Sequence, residues 1–559
     1  MKRSAVRFDI KHSAQTVTVA VAVCIFMLVI FAFVVPLAEI PLKSVIFSKI
    51  NSASNNGSTS SSFYSIKSLL KIILFTFEQS LASTLLAVVV GIPAAFLVAK
   101  KNFFGRKFLL AFSSVPLCIP ALIVALGYVS TFGMAGYINK FLMKIFSLQE
   151  PPLTFLYSFW GIVIAQGFYN FPLIMSTVAD SWSSLPLEQA ENARLLGASE
   201  CRVFRTITFY QILPSVISSC IPVFLYCFFS FMIVLLFGAT GCTTLEVAIY
   251  HSARSTLNFS DASILSLIET FCALGMVFAY SVIEQKSIKN KGISFLYNQN
   301  TRTKISKNQI IPSVIFLFII LIFFALPLFC ILISSFTKRQ SNSIIFTFAN
   351  WKQLFLMKGF LKALFTTLTT ALCVSVLCTV TAYVYAFFLR IKDPFSKNTF
   401  LRTIPLLPMA VSSVVMGLGM TMTVRRGSQL ILILAETALS WPFAFRQIYT
   451  HLVKIPELVL DQAKILSCHK TDTLFKVCIP YSTKGIVSAL GFCFAISAGD
   501  STLPLVLAIP RFDTLALFTY RLAGNHKLNL SCAAGLLLGI ICMSVFILSS
   551  KFKEANEND

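Results

Sequence analysis

The run ENARLLGASECRVFRTI, residues 191–207, is charged and helix-prone, yet it stands in a chain that is 56% hydrophobic. A poorer copy, DQAKILSCHKTDTLFKV at residues 461–477, lies 270 positions further on. Other features keep that offset. Pro172 recurs as Pro442 and Pro186 as Pro456, and TLEVAIYHSA recurs as TLALFTYRLA, so that Thr244, Leu245, Tyr250 and Ala253 match Thr514, Leu515, Tyr520 and Ala523. A register held over about 80 residues marks an architecture built twice. Upstream, PLCIPALIVALG and PMAVSSVVMGLG pair Pro116 with Pro408 and Gly127 with Gly419 at an offset of 292. The difference matches an extra segment around 139–152 in the first copy.

Between the polar runs the chain is apolar. Only 12% of its 559 residues are charged and the mean hydropathy is +0.80, against about 25% charged in soluble domains. A bilayer core takes roughly 20 mostly apolar residues per helical span, and runs of that kind predict about twelve spans. The first six are 15–37, 80–98, 108–132, 156–178, 212–237 and 262–283; the second six are 310–334, 363–389, 403–423, 428–449, 485–509 and 532–548. Long unbroken runs argue for helices over the alternating segments of a membrane barrel. The expected fold is an all-α polytopic membrane protein of two tandem six-helix repeats, 1–285 and 310–559, joined by a basic linker, 286–309. Six spans per repeat make the repeats parallel, which places a pathway at their interface.

Cytoplasmic loops carry the excess of Lys and Arg. Lys2, Arg3, Arg7 and Lys11, the turn with Lys100, Lys101, Arg106 and Lys107, and the linker all fall on one side if both termini are cytoplasmic. The loop with Lys338, Arg339, Lys352, Lys358 and Lys362 runs against that rule. The net charge of +24 is spread over these flanking turns, so it reads as a topology signal and excludes a nucleic-acid stripe. The fifteen cysteines lie mostly in apolar runs with no Cys-x-x-Cys, and the five histidines lack metal-ligand spacing, so no metal is expected. No phosphate-binding Gly-x4-Gly-Lys-Ser/Thr loop and no nucleophile–base constellation is present. The chain is therefore expected to be no enzyme and to hold no cofactor.

The two charged runs follow prolines and lie on the cytoplasmic side, as docking helices for a soluble partner would. The small Gly197 and Ser467 suit a close approach, and Phe204 and Phe475 each offer an apolar plug. These runs resemble the Glu-Ala-Ala-x3-Gly-x9-Ile-x-Leu-Pro coupling loop of permease subunits in ATP-binding cassette importers. The first copy shows Glu191, Ala193, Gly197 and Ile207, with Phe209-Tyr210 for Leu-Pro; the second shows Asp461, Ala463, Ser467, Val477 and Ile479-Pro480. The fused twelve-span arrangement, with GIVIAQGFYNFP, TTLEVAIY and AISAGDSTLPLVLAIPRFDTLALFTYRLAG, looks like the permeases of thiamine importers and, more distantly, of ferric iron importers. The resemblance implies a type I importer permease in the inner membrane and a small-molecule cargo. It also implies two cytoplasmic ATPase subunits that use the ATP, and an extracytoplasmic substrate-binding protein. An ion-coupled secondary transporter is the competing class, because it too would have two six-span halves.

Acids inside spans are costly, about 2.5–3.5 kcal/mol for Asp at a helix centre, so they mark candidate path residues. Gln166 and Glu436 are equivalents at the 270 offset, Asp500 is matched by Ser230, and Glu269 lies within the sixth span. Carboxylates there would offset the desolvation of a cation such as thiamine, or hold neighbouring helices by hydrogen bonds. Thr244, Tyr250, Thr514 and Tyr520 are candidates for an outer gate or a surface that receives the binding protein.

Overall fold

The computed structural model describes residues 22–43, 65–103, 119–185, 188–238, 241–291, 303–304, 307–340, 343–392, 403–424, 427–466 and 473–555, with a few single residues between them. Pro116, Pro186 and Ser467 lie outside the described residues. In the first repeat the helices are α1 (Ala22–Lys43), α2 (Ile66–Lys100), α3 (Ala121–Phe132), α4 (Tyr137–Phe146), α5 (Phe159–Ser183), α6 (Glu188–Leu195), α7 (Glu200–Phe228), α8 (Phe231–Phe237), α9 (Leu245–Arg254) and α10 (Phe259–Lys291). The second repeat has α11 (Ile310–Ser335), α12 (Ala349–Leu356), α13 (Phe360–Lys392), α14 (Ser413–Thr423), α15 (Gln429–Leu452), α16 (Glu457–Leu466), α17 (Leu474–Gly499), α18 (Thr502–Leu507), α19 (Leu515–Gly524) and α20 (Leu528–Ala555).

Among the described residues ten helices are long and apolar enough to cross a membrane. An eleventh arises if the turn Ile404–Ala410 and α14, which meet at 91°, count as one broken span. The twelfth expected position is filled by α15, which is less apolar because Gln429, Glu436, Arg446 and Gln447 interrupt it. Two expected spans are corrected in a more telling way. The runs 212–237 and 485–509 are each broken, between α7 and α8 at Phe229–Ser230 and between α17 and α18 at Asp500–Ser501. Both α7 and α17 also begin before the apolar run and carry a π turn, Phe204–Thr208 and Leu474–Cys478. The π turns keep the 270 offset, and the breaks fall within one residue of it.

Helix faces follow the solvent each one meets. On α2 the buried face is small and polar, with Thr76, Gln79, Ser80, Ser83, Thr84 and Ala87, while Leu70, Leu74, Leu81, Leu85 and Val89 are exposed. The hydroxyls of Thr76, Ser80 and Thr84 donate to carbonyls four residues back, so they add no unpaired donor to the interior. Helix α13 repeats the pattern, with Thr367, Thr370, Ala371 and Ser375 inside and Leu361, Phe365, Leu372 and Val376 outside. Lipid is as apolar as leucine, so small residues face the bundle, where backbones can approach, and bulky ones face the tails.

The repeats interlock. A Cβ on Gly127 of α3 would lie 2.7 Å from the carbonyl oxygen of Pro327 on α11, and one on Gly419 of α14 would lie 2.8 Å from that of Pro36 on α1. The first span of each repeat therefore packs against the third span of the other, and the largest apolar core draws on both repeats. The sequence division at 286–309 does not divide this core. The added segment of the first repeat is pinned by Asn139, whose amide donates to Leu153 O at 2.8 Å and whose Oδ1 accepts from Leu153 N at 2.9 Å. The basic loop after α11 folds into an antiparallel hairpin, Thr337–Gln340 with Ser343–Phe346, anchored by Asn350 on Ser335 O and Thr337 O.

Candidate functional site

The equivalent residues of α5 and α15 converge on one cavity of about 350 Å³. Helix α5 contributes Gln166, Tyr169 and Asn170, and α15 contributes Glu436, Leu439, Ser440 and Phe443. The broken ends of α7 and α17 supply Phe229, Ser230, Gly499 and Asp500, α9 supplies Glu246, and the turn before α14 supplies Ser412. The cavity is thus lined from both repeats, with Gln166 and Glu436 in matching places. Its aromatic wall includes Tyr226, stacked on Phe443 at 6.5 Å between centroids, and Phe492, edge-on to Phe443 at 5.6 Å. No Lys, Arg or His is among the lining residues.

The hydrogen bonds of the acids in and beside the cavity separate their roles. Glu436 accepts from the Ser497 hydroxyl. Asp500 Oδ1 accepts from the backbone N–H of Thr502 at 2.8 Å and of Leu503 at 3.4 Å, which makes it the cap of α18. Gln166 has no partner for its amide nitrogen or oxygen among the described residues. Glu269 is buried on α10 but is not among the residues lining the cavity; it interacts electrostatically with Glu246, and Ser412 lies beside both. The sequence reading missed Glu246, because TLEVAIY was read only as an outer segment. The available signal was an acid in a repeat whose twin carries Ala516.

Thr244 and Thr514 are buried at the starts of α9 and α19. The N–H groups that follow them are taken by hydroxyls of the second span of each repeat, Leu245 by Thr76 at 3.0 Å and Leu515 by Thr367 at 2.7 Å. These short helices are therefore fixed to α2 and α13. Tyr250 packs edge-on against Phe231 at 5.2 Å and interacts electrostatically with Tyr520 of the other repeat. Arg254, also missed, donates from Nε to Val506 O of α18 at 2.8 Å, which ties the two repeats on this side.

The charged runs form α6 and α16 and project from the bundle. Glu191 and Asp461 are exposed, and Ala193 and Ala463 are half-buried. Gly197 has φ +82°, Gly197 N–H bonds to Arg194 O and Ala198 N–H bonds to Ala193 O, so it closes α6 in a Schellman cap. Nothing lies within 4 Å of where its Cβ would be. Glycine is used here for its backbone freedom, and the space beside it is open. Arg194 then pairs with Glu200 across the turn at 2.6 and 3.1 Å. Phe204 stacks on Trp182 at 5.7 Å and belongs, with Ile207, to the π turn of α7; Phe475 is half-buried in the matching turn of α17, and Pro480 follows it. The apolar groups that do project are Leu195 and Leu196 and their equivalents Ile465 and Leu466, 84–87% exposed. The sequence reading passed over them, since Leu and Ile in a membrane chain carry no signal until their exposure is known.

Comparison with known proteins fits this geometry. Residues 87–286 match the family described as binding-protein-dependent transport system inner membrane component. The chain is 24% identical over 496 residues to a thiamine transport system permease protein of Escherichia coli (strain K12), covering 87% of this chain and 89% of the relative. It is 24% identical over 510 residues to the Haemophilus influenzae protein of the same name, with the same coverage. A putative 2-aminoethylphosphonate transport system permease protein of Salmonella typhi is 29% identical over 171 residues, 31% of this chain and 59% of that one. The chain thus resembles, over most of its length, a fused permease of an ATP-binding cassette importer.

Proposed function

We propose that this chain, a multi-pass inner-membrane permease subunit working with an ATPase and a substrate-binding protein, forms the whole translocation path and admits thiamine or its phosphate. The observation that carries the reading is the cavity at the interface of the repeats, lined by the equivalent residues Gln166 and Glu436. The names of the relatives supply the cargo, and an acidic, aromatic-lined space without basic residues suits an aromatic cation. At about 350 Å³ it is also within the ordinary size of small-molecule sites, roughly 300–1,000 Å³.

In this reading two ATPase subunits use the ATP, and this chain holds no cofactor of its own. One ATPase docks on α6 through Leu195, Leu196 and the Glu191 face, and the other on α16 through Ile465, Leu466 and the Asp461 face. Docking motion enters α7 and α17 directly, since each leads on from a docking run and ends at the cavity. Helix α7 has 29 residues, about 43 Å at 1.5 Å per residue. Rocking of two such levers opens the cavity alternately to each side. The α9 and α19 helices, with Tyr250 and Tyr520, lie outward and receive the loaded binding protein; Gln166, Glu436, Asp500 and Glu269 border the path. Both termini and the 286–309 tether between the 1–285 and 310–559 repeats are cytoplasmic.

The deciding experiment is uptake into membrane vesicles that hold this chain, its ATPase and its binding protein. Labelled thiamine accumulates only with ATP, and labelled ferric iron does not. Accumulation of iron alone, or uptake driven by an ion gradient without ATP, overturns the reading.

A further inference from the structure

The four acids at the centre, Glu246, Glu269 and Glu436 buried and Asp500 half-buried, fall into two classes. Glu436 and Asp500 are engaged, one by Ser497 and the other by the start of α18. Glu246 and Glu269 are each 1% exposed, and one oxygen of Glu246 and both oxygens of Glu269 have no hydrogen-bond partner among the described residues. Leaving a buried polar group unpaired costs about 1–3 kcal/mol, and more if it is charged. Two neighbouring carboxylates also oppose each other's ionisation. Ser412 lies beside both but gives its oxygen to Val415 N–H, which leaves one hydroxyl proton for two carboxyls. Such a cost is offset when a cation enters.

Gln166 supplies an independent sign of a ligand. It is 1% exposed, it lines the same cavity as Glu246, and neither end of its amide is partnered. An amide in that state offers a donor and an acceptor together, the pattern met by an amino-substituted ring with a ring nitrogen. The carboxyl pair has no twin, because the equivalents of Glu246 and Glu269 at the 270 offset are Ala516 and Gly539. Of these four acids, those with unpartnered oxygens therefore lie on the first repeat, while Glu436 and Asp500 of the second accept hydrogen bonds.

We propose that this cavity is a binding site within the membrane for one monocationic heteroaromatic molecule, its positive centre against Glu246 backed by Glu269 and its polar edge on Gln166. The inference rests on the importer reading and deepens it. It makes the permease itself selective for charge, beyond any choice exercised by the binding protein. Glu436 and Asp500 border the site but hold the fold.

The test uses the full chain in lipid nanodiscs, without ATPase or binding protein. Labelled thiamine is the cationic probe, and its uncharged oxidation product, thiochrome, is the neutral one. The wild type binds thiamine at least tenfold more tightly than thiochrome, and Glu246→Gln and Glu269→Gln each lower thiamine affinity at least tenfold. Glu150→Gln, exposed in the added segment of the first repeat and not among the cavity's lining residues, changes it by less than about threefold. A monodisperse elution profile for each variant excludes misfolding as the cause. The proposal is overturned if the wild type fails to bind thiamine or binds both probes alike, or if the Glu246→Gln, Glu269→Gln double variant binds normally. The uptake assay keeps the two ideas apart. ATP-dependent thiamine uptake that is unchanged in the double variant rejects this site and leaves the importer reading standing, whereas no uptake by the wild type rejects that reading.

Discussion

Gly197 has a backbone role that its place in a coupling-loop pattern does not reveal. It fits a coupling-loop pattern, and smallness suggests a close-packed partner. Its φ of +82° and the paired bonds to Arg194 O and Ala193 O show that it also ends a helix. Left-handed backbone costs an L-residue roughly 1–2 kcal/mol, so Gly197→Ala loosens the end of α6 without meeting any atom. In the proposed docking the exposed apolar contacts are Leu195 and Leu196, one and two residues earlier. We expect Leu195→Ser with Leu196→Ser to reduce co-purification of the ATPase at least tenfold, with Gly197→Ala giving a smaller loss. Pull-down from membranes at matched permease levels measures both, and undiminished ATPase recovery by the double serine variant would place the contact elsewhere.

The decisive elements are the two broken spans. Periodicity and apolarity run straight through 212–237 and 485–509, so nothing in composition stops the helix at Phe229 or Asp500. The interruption at Asp500 is visible in the bonds it makes: its carboxylate takes the first N–H groups of α18, as a cap does. Ser230, its twin, makes no such bond to α8. Losing a cap costs about 0.5–2 kcal/mol, while Asn caps as well as Asp. Asp500→Ala should therefore lower the melting temperature of the purified chain and slow uptake, and Asp500→Asn should keep both near the wild type. Equal loss in the two variants would mean that the charge of Asp500, and not its capping, is what transport requires.

At the scale of the molecule the two repeats are one folding unit. Gly127 on Pro327 and Gly419 on Pro36 hold the first span of each repeat against the other, and the main core takes residues from both. Substituting Gly127 by Val places a branched side chain where even a Cβ would stand 2.7 Å from a backbone oxygen. Overpacking of a rigid contact typically costs about 1–3 kcal/mol. Gly127→Val should accordingly reduce the yield of monodisperse protein and its melting temperature, while Gly275→Val, where no neighbour lies within 4 Å, should not. Thermal unfolding followed by size-exclusion fluorescence distinguishes the two, and equal stability would show that the interlock contributes little.

The sequence by itself determined the helical membrane fold, the duplication with its 270-residue register, and the location of the two polar runs. These properties depend on segment length, apolarity and order along the chain, which are one-dimensional. It also brought Gln166 and Glu436 forward as a pair, because matched positions in parallel repeats face a common axis. Only the tertiary structure decided which acids are spoken for. Glu436 and Asp500 look like Glu246 and Glu269 in sequence, and they differ because Ser497 and the α18 backbone reach the first two, while the other pair shares the hydroxyl of Ser412. Hydrogen-bond partners are set by which helices meet, and those meetings are fixed by small residues such as Gly127 and Gly419, whose importance appears only when the opposing backbone is in place.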